Sequence, residues 1–150
     1  MTERTFGRKA DIPYTELRGA YLVAMERGAI HVISQNGTIR LPGGICADGV
    51  SHEVTILGAC LDETGWDVSV DDFITDADLY DDSAKAHLTA TYYSGAFLES
   101  LTEKSSSDAR HEQLSLSELD RLTNPMEQWA VQQCIEMLRA DAHGSDDEDL

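Results

Sequence analysis

Along the chain the apolar positions first run in short blocks, then recur every third or fourth residue, then return to short blocks, so strands precede and follow a helix. Arg18–Met25 reads as a buried strand, and Ala29–Ser34 and Thr38–Leu41 as two more. Glu26-Arg27-Gly28 forms the first turn, and Gln35-Asn36-Gly37 carries the Asn-Gly signal of a tight hairpin. This meander runs into Leu41-Pro42-Gly43-Gly44. There Pro42 fixes the backbone, while Gly43 and Gly44 admit conformations and close approaches that a side chain blocks.

Ser51 then suits a helix N-cap, Val54, Leu57 and Leu61 recur at helical spacing, and Gly65 stands where a C-terminal stop belongs. The pattern predicts a helix over 52–64 with Val54, Leu57 and Leu61 on its inward face. His52 and Glu53 fall in the first turn, where a carboxylate suits the helix dipole, so both are assigned to capping rather than catalysis. Downstream, Trp66–Val70 and Phe73–Tyr80 read as strands, and Lys85–Leu98 as a long strand rich in Thr, Tyr and Phe. Tyr92 and Tyr93 are sheet residues in this reading, pointing to opposite faces. Lys104-Ser105-Ser106-Ser107-Asp108 is a polar loop, Ser115-Leu116-Ser117-Glu118 starts a short helix, and Asn124-Pro125 opens a final helix through Met126, Trp129 and Ala130. Strands interleaved with helices indicate one α/β domain over residues 1–143, with a mixed sheet between helical layers.

Composition agrees with a single core: 150 residues, 41% of them hydrophobic. No stretch approaches the roughly 20 apolar residues needed to span a bilayer, and Met1–Phe6 lacks the apolar run of a signal peptide, so a cytoplasmic setting is expected and no membrane partner. Cys46, Cys60 and Cys134 are odd in number, widely spaced and without a Cys-x-x-Cys pair, which argues for reduced thiols rather than a disulfide framework or zinc site. The 28 acidic residues outnumber 11 basic ones, a net charge of −17 that disfavours nucleic acid as a partner. Some of this charge sits in Gly144–Leu150, an acidic tail expected to be disordered because like charges repel and little apolar surface orders them. Another run, Asp67, Asp71, Asp72, Asp76, Asp78, Asp81 and Asp82, is read as solvated strand edges and turns.

The spacing from Gly44 to Gly65 resembles the frame of a Nudix box. In that register the family's first glutamate falls on Val50, its arginine on Gly58, the glutamate after it on Ala59, and its paired glutamates on Asp62 and Glu63. Phe6-Gly7-Arg8-Lys9, Tyr14 and Arg18-Gly19-Ala20-Tyr21 are also similar to the opening of a bacterial Nudix subgroup, and Gln128-Trp129-Ala130-Val131 to its closing helix. The resemblance implies a Nudix-type α/β/α sandwich with a mixed β-sheet, acting on nucleoside diphosphates linked to another group. It implies Asp62 and Glu63 as catalytic and metal-binding residues and Gly43 and Gly44 as substrate-binding ones.

Hard divalent ions need clustered oxygen ligands, and helix positions 59, 62 and 63 can share one site, yet only two of them are acidic here. Two expectations follow from different classes. One is a weak hydrolase of MutT-like type, using Mg2+ or Mn2+ through Asp62 and Glu63. The other is a catalytically silent Nudix-fold domain that needs no metal and binds a nucleotide-derived small molecule or a protein. His111 and Glu112 are read as a late loop, solvent-facing unless geometry brings them to the site.

Overall fold

The computed structural model describes residues 2–7, 9–101 and 109–148, with side chains as far as residue 140. The loop expected at 104–108 and the last two residues of the acidic tail fall outside them. Eight strands are described: β1 (Arg4–Phe6), β2 (Thr15–Glu26), β3 (Ala29–Gln35), β4 (Thr38–Arg40), β5 (Gly43–Ile45), β6 (Trp66–Asp81), β7 (Ala86–Ser100) and β8 (Arg110–Ser115). Helix α1 covers His52–Thr64, a 3-10 turn covers Leu116–Arg121, and helix α2 covers Pro125–Glu148, so its backbone continues through 144–148.

The strands form one mixed sheet in the order β1-β6-β7-β2-β3-β4, with β5 on β2 and β8 on β3. Pairs β1·β6 and β2·β7 are parallel, and the others antiparallel. Both turns of the meander use left-handed pairs, Arg27-Gly28 and Asn36-Gly37, as the twist of a two-residue hairpin demands. The segments 66–70 and 73–80 are one strand, β6, whose register against β7 shifts at bulges between Val70 and Thr75.

Strand alternation divides β2 between two cores. Ala20, Leu22 and Ala24 join Cys46, Val68, and Ile56 and Cys60 of α1 on one face. Val23 joins Ile30, Val32, Leu41, Tyr92, and Met126, Ala130 and Val131 of α2 on the other. The result is an α/β/α sandwich. Each fully covered branched side chain contributes about 1.5–3 kcal/mol of burial. The three cysteines are buried in these layers and unbonded.

The inward face of α1 differs from the sequence reading. Ile56, Cys60 and Thr64 are buried and Leu57 packs partly against the same core, whereas Val54 and Leu61 are 59% and 42% exposed. The helix carries two apolar stripes, and the approach from β5 selects the one with Ile56. Thr64 tolerates burial because its hydroxyl donates to the Cys60 carbonyl at 2.6 Å. The ends are as expected: Ser51 accepts from the Val54 N–H, and Gly65 closes the helix at φ 77° by donating to the Leu61 carbonyl.

Several aspartates do more than line the edges. Asp76 accepts from the Glu3 N–H at 3.0 Å, Asp82 accepts from the Tyr14 hydroxyl at 2.6 Å, and Asp78 contacts Thr2, His87 and Thr89. They fasten the N-terminal segment to β6 and the turn beyond it.

His111 and Glu112 lie in a strand, not a loop: β8 pairs along β3 from Arg110 to Ser115. His31 is buried, and its Nδ1 lies 2.7 Å from His111 Nε2 while its Nε2 lies 3.0 Å from a Glu26 oxygen. Phe97 stacks on both rings at 4.2 and 4.6 Å. Burial, reinforced by the neighbouring His31, lowers the His111 pKa from 6.5 to about 4. The unfolded chain therefore takes up a proton that the fold refuses, so this stability is present above about pH 6.5 and drains away toward pH 4. Discounted for solvent reaching a half-buried ring, about 1–2 kcal/mol should be lost across that window. His111→Gln should flatten the slope in urea unfolding; an unchanged slope would discount the pair.

Candidate functional site

The resemblance points to the space between the glycine strand β5 and the C-terminal half of α1. Two consecutive residues at the end of the meander organise it. Arg40 pairs with Ile33 across β4·β3, and its guanidinium reaches α1. Nη2 contacts Glu63 Oε2, Nη1 donates to Oε1 at 3.3 Å, and Nη2 also meets the Gln35 side-chain oxygen at 3.2 Å. Both partners are shielded, with side chains 31% and 15% exposed. Such two-pronged, charge-assisted contacts contribute about 1.5–3 kcal/mol where solvent is partly excluded.

Leu41 faces the other layer. Its N–H donates to both carboxyl oxygens of Glu127, at 3.2 and 3.3 Å. Glu127 is buried in the first turn of α2. Burial pushes its carboxyl from 4.5 up to about 8, against weaker lowering by the Leu41 N–H and by Arg40. At neutral pH it is largely a protonated acid. Beside it, Tyr21 and Tyr92 stack at 5.5 Å; burial and Glu127 raise both phenols, Tyr21 to about 12. The Tyr92 hydroxyl is buried without a hydrogen-bond partner among the described residues. Sequence reasoning passed over Glu127. The signal was the spacing Asn124-x-x-Glu127, which reads as a capping box, but the carboxyl turns to Leu41 while Asn124 caps the Met126 N–H at 2.9 Å.

Gly43 and Gly44 have different duties. At Gly43 φ is +138°, and a Cβ there would lie 2.2 Å from the Ala20 carbonyl oxygen and 2.7 Å from the Tyr21 Cα. Its glycine identity is therefore required by the pairing of β5 with β2. At Gly44 a Cβ meets nothing within 4 Å, so this is the position with open space. On the same face of β2 as Ala20 and Leu22, the exposed Arg18 adds a second guanidinium near β5.

Asp62 and Glu63 are adjacent but unlike: Asp62 is exposed, and Glu63 is held by Arg40. Val50 and Ala59 supply no carboxylate. Among the described residues no three His, Cys, Asp or Glu side chains group closely enough to hold a metal ion. The residues present therefore do not fit a divalent-metal centre of the kind the resemblance implies. At the opposite end of α1, His52 Nδ1 lies 2.7 Å from the Tyr93 phenol oxygen. His111 and Glu112 belong to the cluster on β3 and β8 described above.

No family model and no curated protein matches the sequence. Solved structures do match. A NUDIX hydrolase from Nitrosomonas europaea superposes with a TM-score of 0.71 at 12% identity, covering 81% of this chain and 90% of that one. An ADP-ribose pyrophosphatase from Streptococcus suis gives 0.66 at 20% identity, covering 83% and 93%. A UDP-X diphosphatase gives 0.62 at 20% identity, covering 90% and 66%. The chain has the Nudix fold.

Two outcomes test this geometry. For Glu127 the folded pKa is raised, so its stabilisation is full below about pH 4.5 and is lost as pH rises through about 8. Glu127→Gln keeps the acceptor and cannot ionise; relative to the natural chain it should gain on the order of a few kcal/mol between about pH 5 and pH 8.5 in urea unfolding. A parallel pH response of the two proteins would refute the assignment. Gly43→Ala should cost about 3 kcal/mol or more, whereas Gly44→Ala should fall within about 0.5 kcal/mol of the natural chain in thermal unfolding. Equal costs would dissolve the distinction between the two glycines.

Proposed function

We propose that this Nudix-fold chain binds a nucleoside diphosphate derivative and has set aside the metal-dependent hydrolysis of its structural neighbours. The observation that carries the reading is the Arg40–Glu63 ion pair. The one glutamate retained from the family's metal-binding set is neutralised by a guanidinium of the chain itself, with Val50 and Ala59 where further carboxylates belong. A guanidinium does electrostatically part of what a divalent ion does, and it binds phosphate oxygens in a planar, two-pronged geometry. Arg18, beside β5, is the cation assigned to the diphosphate while Arg40 holds Glu63, and the open side of Gly44 is the approach for it.

The ligand class comes from the neighbours' names, ADP-ribose and UDP-linked compounds. Association with nucleic acid is set aside on charge, since a net −17 repels a polyanion. A slow Mg2+- or Mn2+-dependent hydrolase is the second reading, favoured by the adjacency of Asp62 and Glu63 at their family positions. On that reading the two carboxylates would be the catalytic pair.

Calorimetry and turnover assays across a panel of ADP- and UDP-linked compounds, with Mg2+ or with a chelator, separate the two. We expect binding by at least one compound, unchanged by the chelator, at least tenfold weaker in Arg18→Ala, and no Mg2+-dependent turnover. Mg2+-dependent cleavage that Glu63→Gln abolishes would establish the second reading instead. Rebuilding the box by Val50→Glu, Gly58→Arg, Ala59→Glu and Asp62→Glu should create Mg2+-dependent hydrolysis, with single restorations doing little because such groups act as a unit.

A further inference from the structure

The outer side of α1 carries a feature that the nucleotide reading does not use. Val54, Leu57, Gly58 and Leu61 on the helix, Trp66 and Asp67 at the start of β6, and Leu101 after β7 line a groove of about 250 Å3. Of its apolar members Val54 is 59% exposed, Leu61 42% and Leu101 56%, while Leu57 and Trp66 are half-buried. Positions 54, 57 and 61 form one helical stripe. At Gly58 the stripe has a notch, because a Cβ there would meet nothing within 4 Å. Large apolar side chains recurring on an exposed helix face, with a vacancy among them, have the form of a surface that accepts side chains from another helix.

The charge around the groove selects the occupant. Asp67 lines it, and Glu99 faces Asp67 across the β6·β7 pair. Among the described residues no Lys or Arg belongs to α1 or to the groove lining. A second copy of this chain would bring the same acidic rim and a further −17, which opposes self-association. A basic amphipathic helix meets both requirements, placing apolar residues in the stripe and notch and Lys or Arg against Asp67 and Glu99.

We propose that this groove is a docking site for a basic amphipathic helix of a partner protein. The probes are two synthetic helical peptides of about four turns. They share one leucine stripe, but one has lysines and the other glutamates on its polar face. Binding is read by anisotropy of the labelled peptides. The lysine peptide should bind the natural chain and the glutamate peptide should not. Val54→Ser combined with Leu61→Ser leaves charge unchanged and should weaken binding at least tenfold, with thermal unfolding confirming the fold. Gly58→Leu fills the notch without touching charge and should weaken it as well.

Equal affinity of the lysine peptide for the natural chain and the double-serine variant would overturn the proposal, because attraction would then be charge alone. So would failure of the lysine peptide to bind. Sedimentation showing a dimer that the double-serine variant dissociates would assign the groove to a second copy and likewise overturn it. None of these readouts depends on nucleotide, so the two proposals stand or fall separately.

Discussion

Arg40 and Leu41 fasten the sheet to both helical layers from adjacent positions. The side chain of Arg40 reaches Glu63 on α1, and the backbone N–H of Leu41 reaches Glu127 on α2. One contact is ionic and partly shielded; the other is a single donor on a buried carboxyl. Together they fix the end of the meander before the chain enters β5, and hence where Gly44 lies relative to α1. A peptide unit held on both faces has little freedom to shift, so the geometry beside the glycines is set by packing before any ligand arrives.

This arrangement also accounts for the frame of the Gly44–Gly65 segment. Metal catalysis needs several oxygen ligands converging on one ion. The fold needs something different from the same segment: a sharp entry at Pro42-Gly43, an N-cap at Ser51 and a left-handed stop at Gly65. The second set is complete, and of the family's carboxylate positions 62 and 63 alone are acidic. Glu63 serves the second set here, tying α1 to β4 through Arg40.

What was legible in the sequence was local. Asn36-Gly37 and the Ser51 and Gly65 caps announce themselves through backbone chemistry confined to a few residues, and the meander and α1 followed from them. What depended on distant partners was not legible. Strand β8 has one fully buried side chain, Leu114, and owes its form to pairing with β3, which no local pattern encodes. Leu57 packs inward as its spacing suggests, but Val54 and Leu61 point out, because the two apolar stripes of α1 are equivalent until the sheet chooses one. Glu127 was passed over because charged residues are rarely buried, and only the structure supplies the Leu41 N–H and the protonation that make its burial tolerable. The inference that the box lacks its carboxylate cluster rested on residue identity alone, and the pairing of Glu63 with Arg40 adds a contact that identity cannot disclose.

The close approach at Gly43 bears on how such sequences change over generations. A residue whose smallest addition collides with the Ala20 carbonyl is retained by every descendant that still folds, whatever becomes of the reaction. At Gly44, where a Cβ meets nothing within 4 Å, no such constraint acts. Retention of the first glycine is thus a mark of the fold, and only retention of the second can report on a ligand.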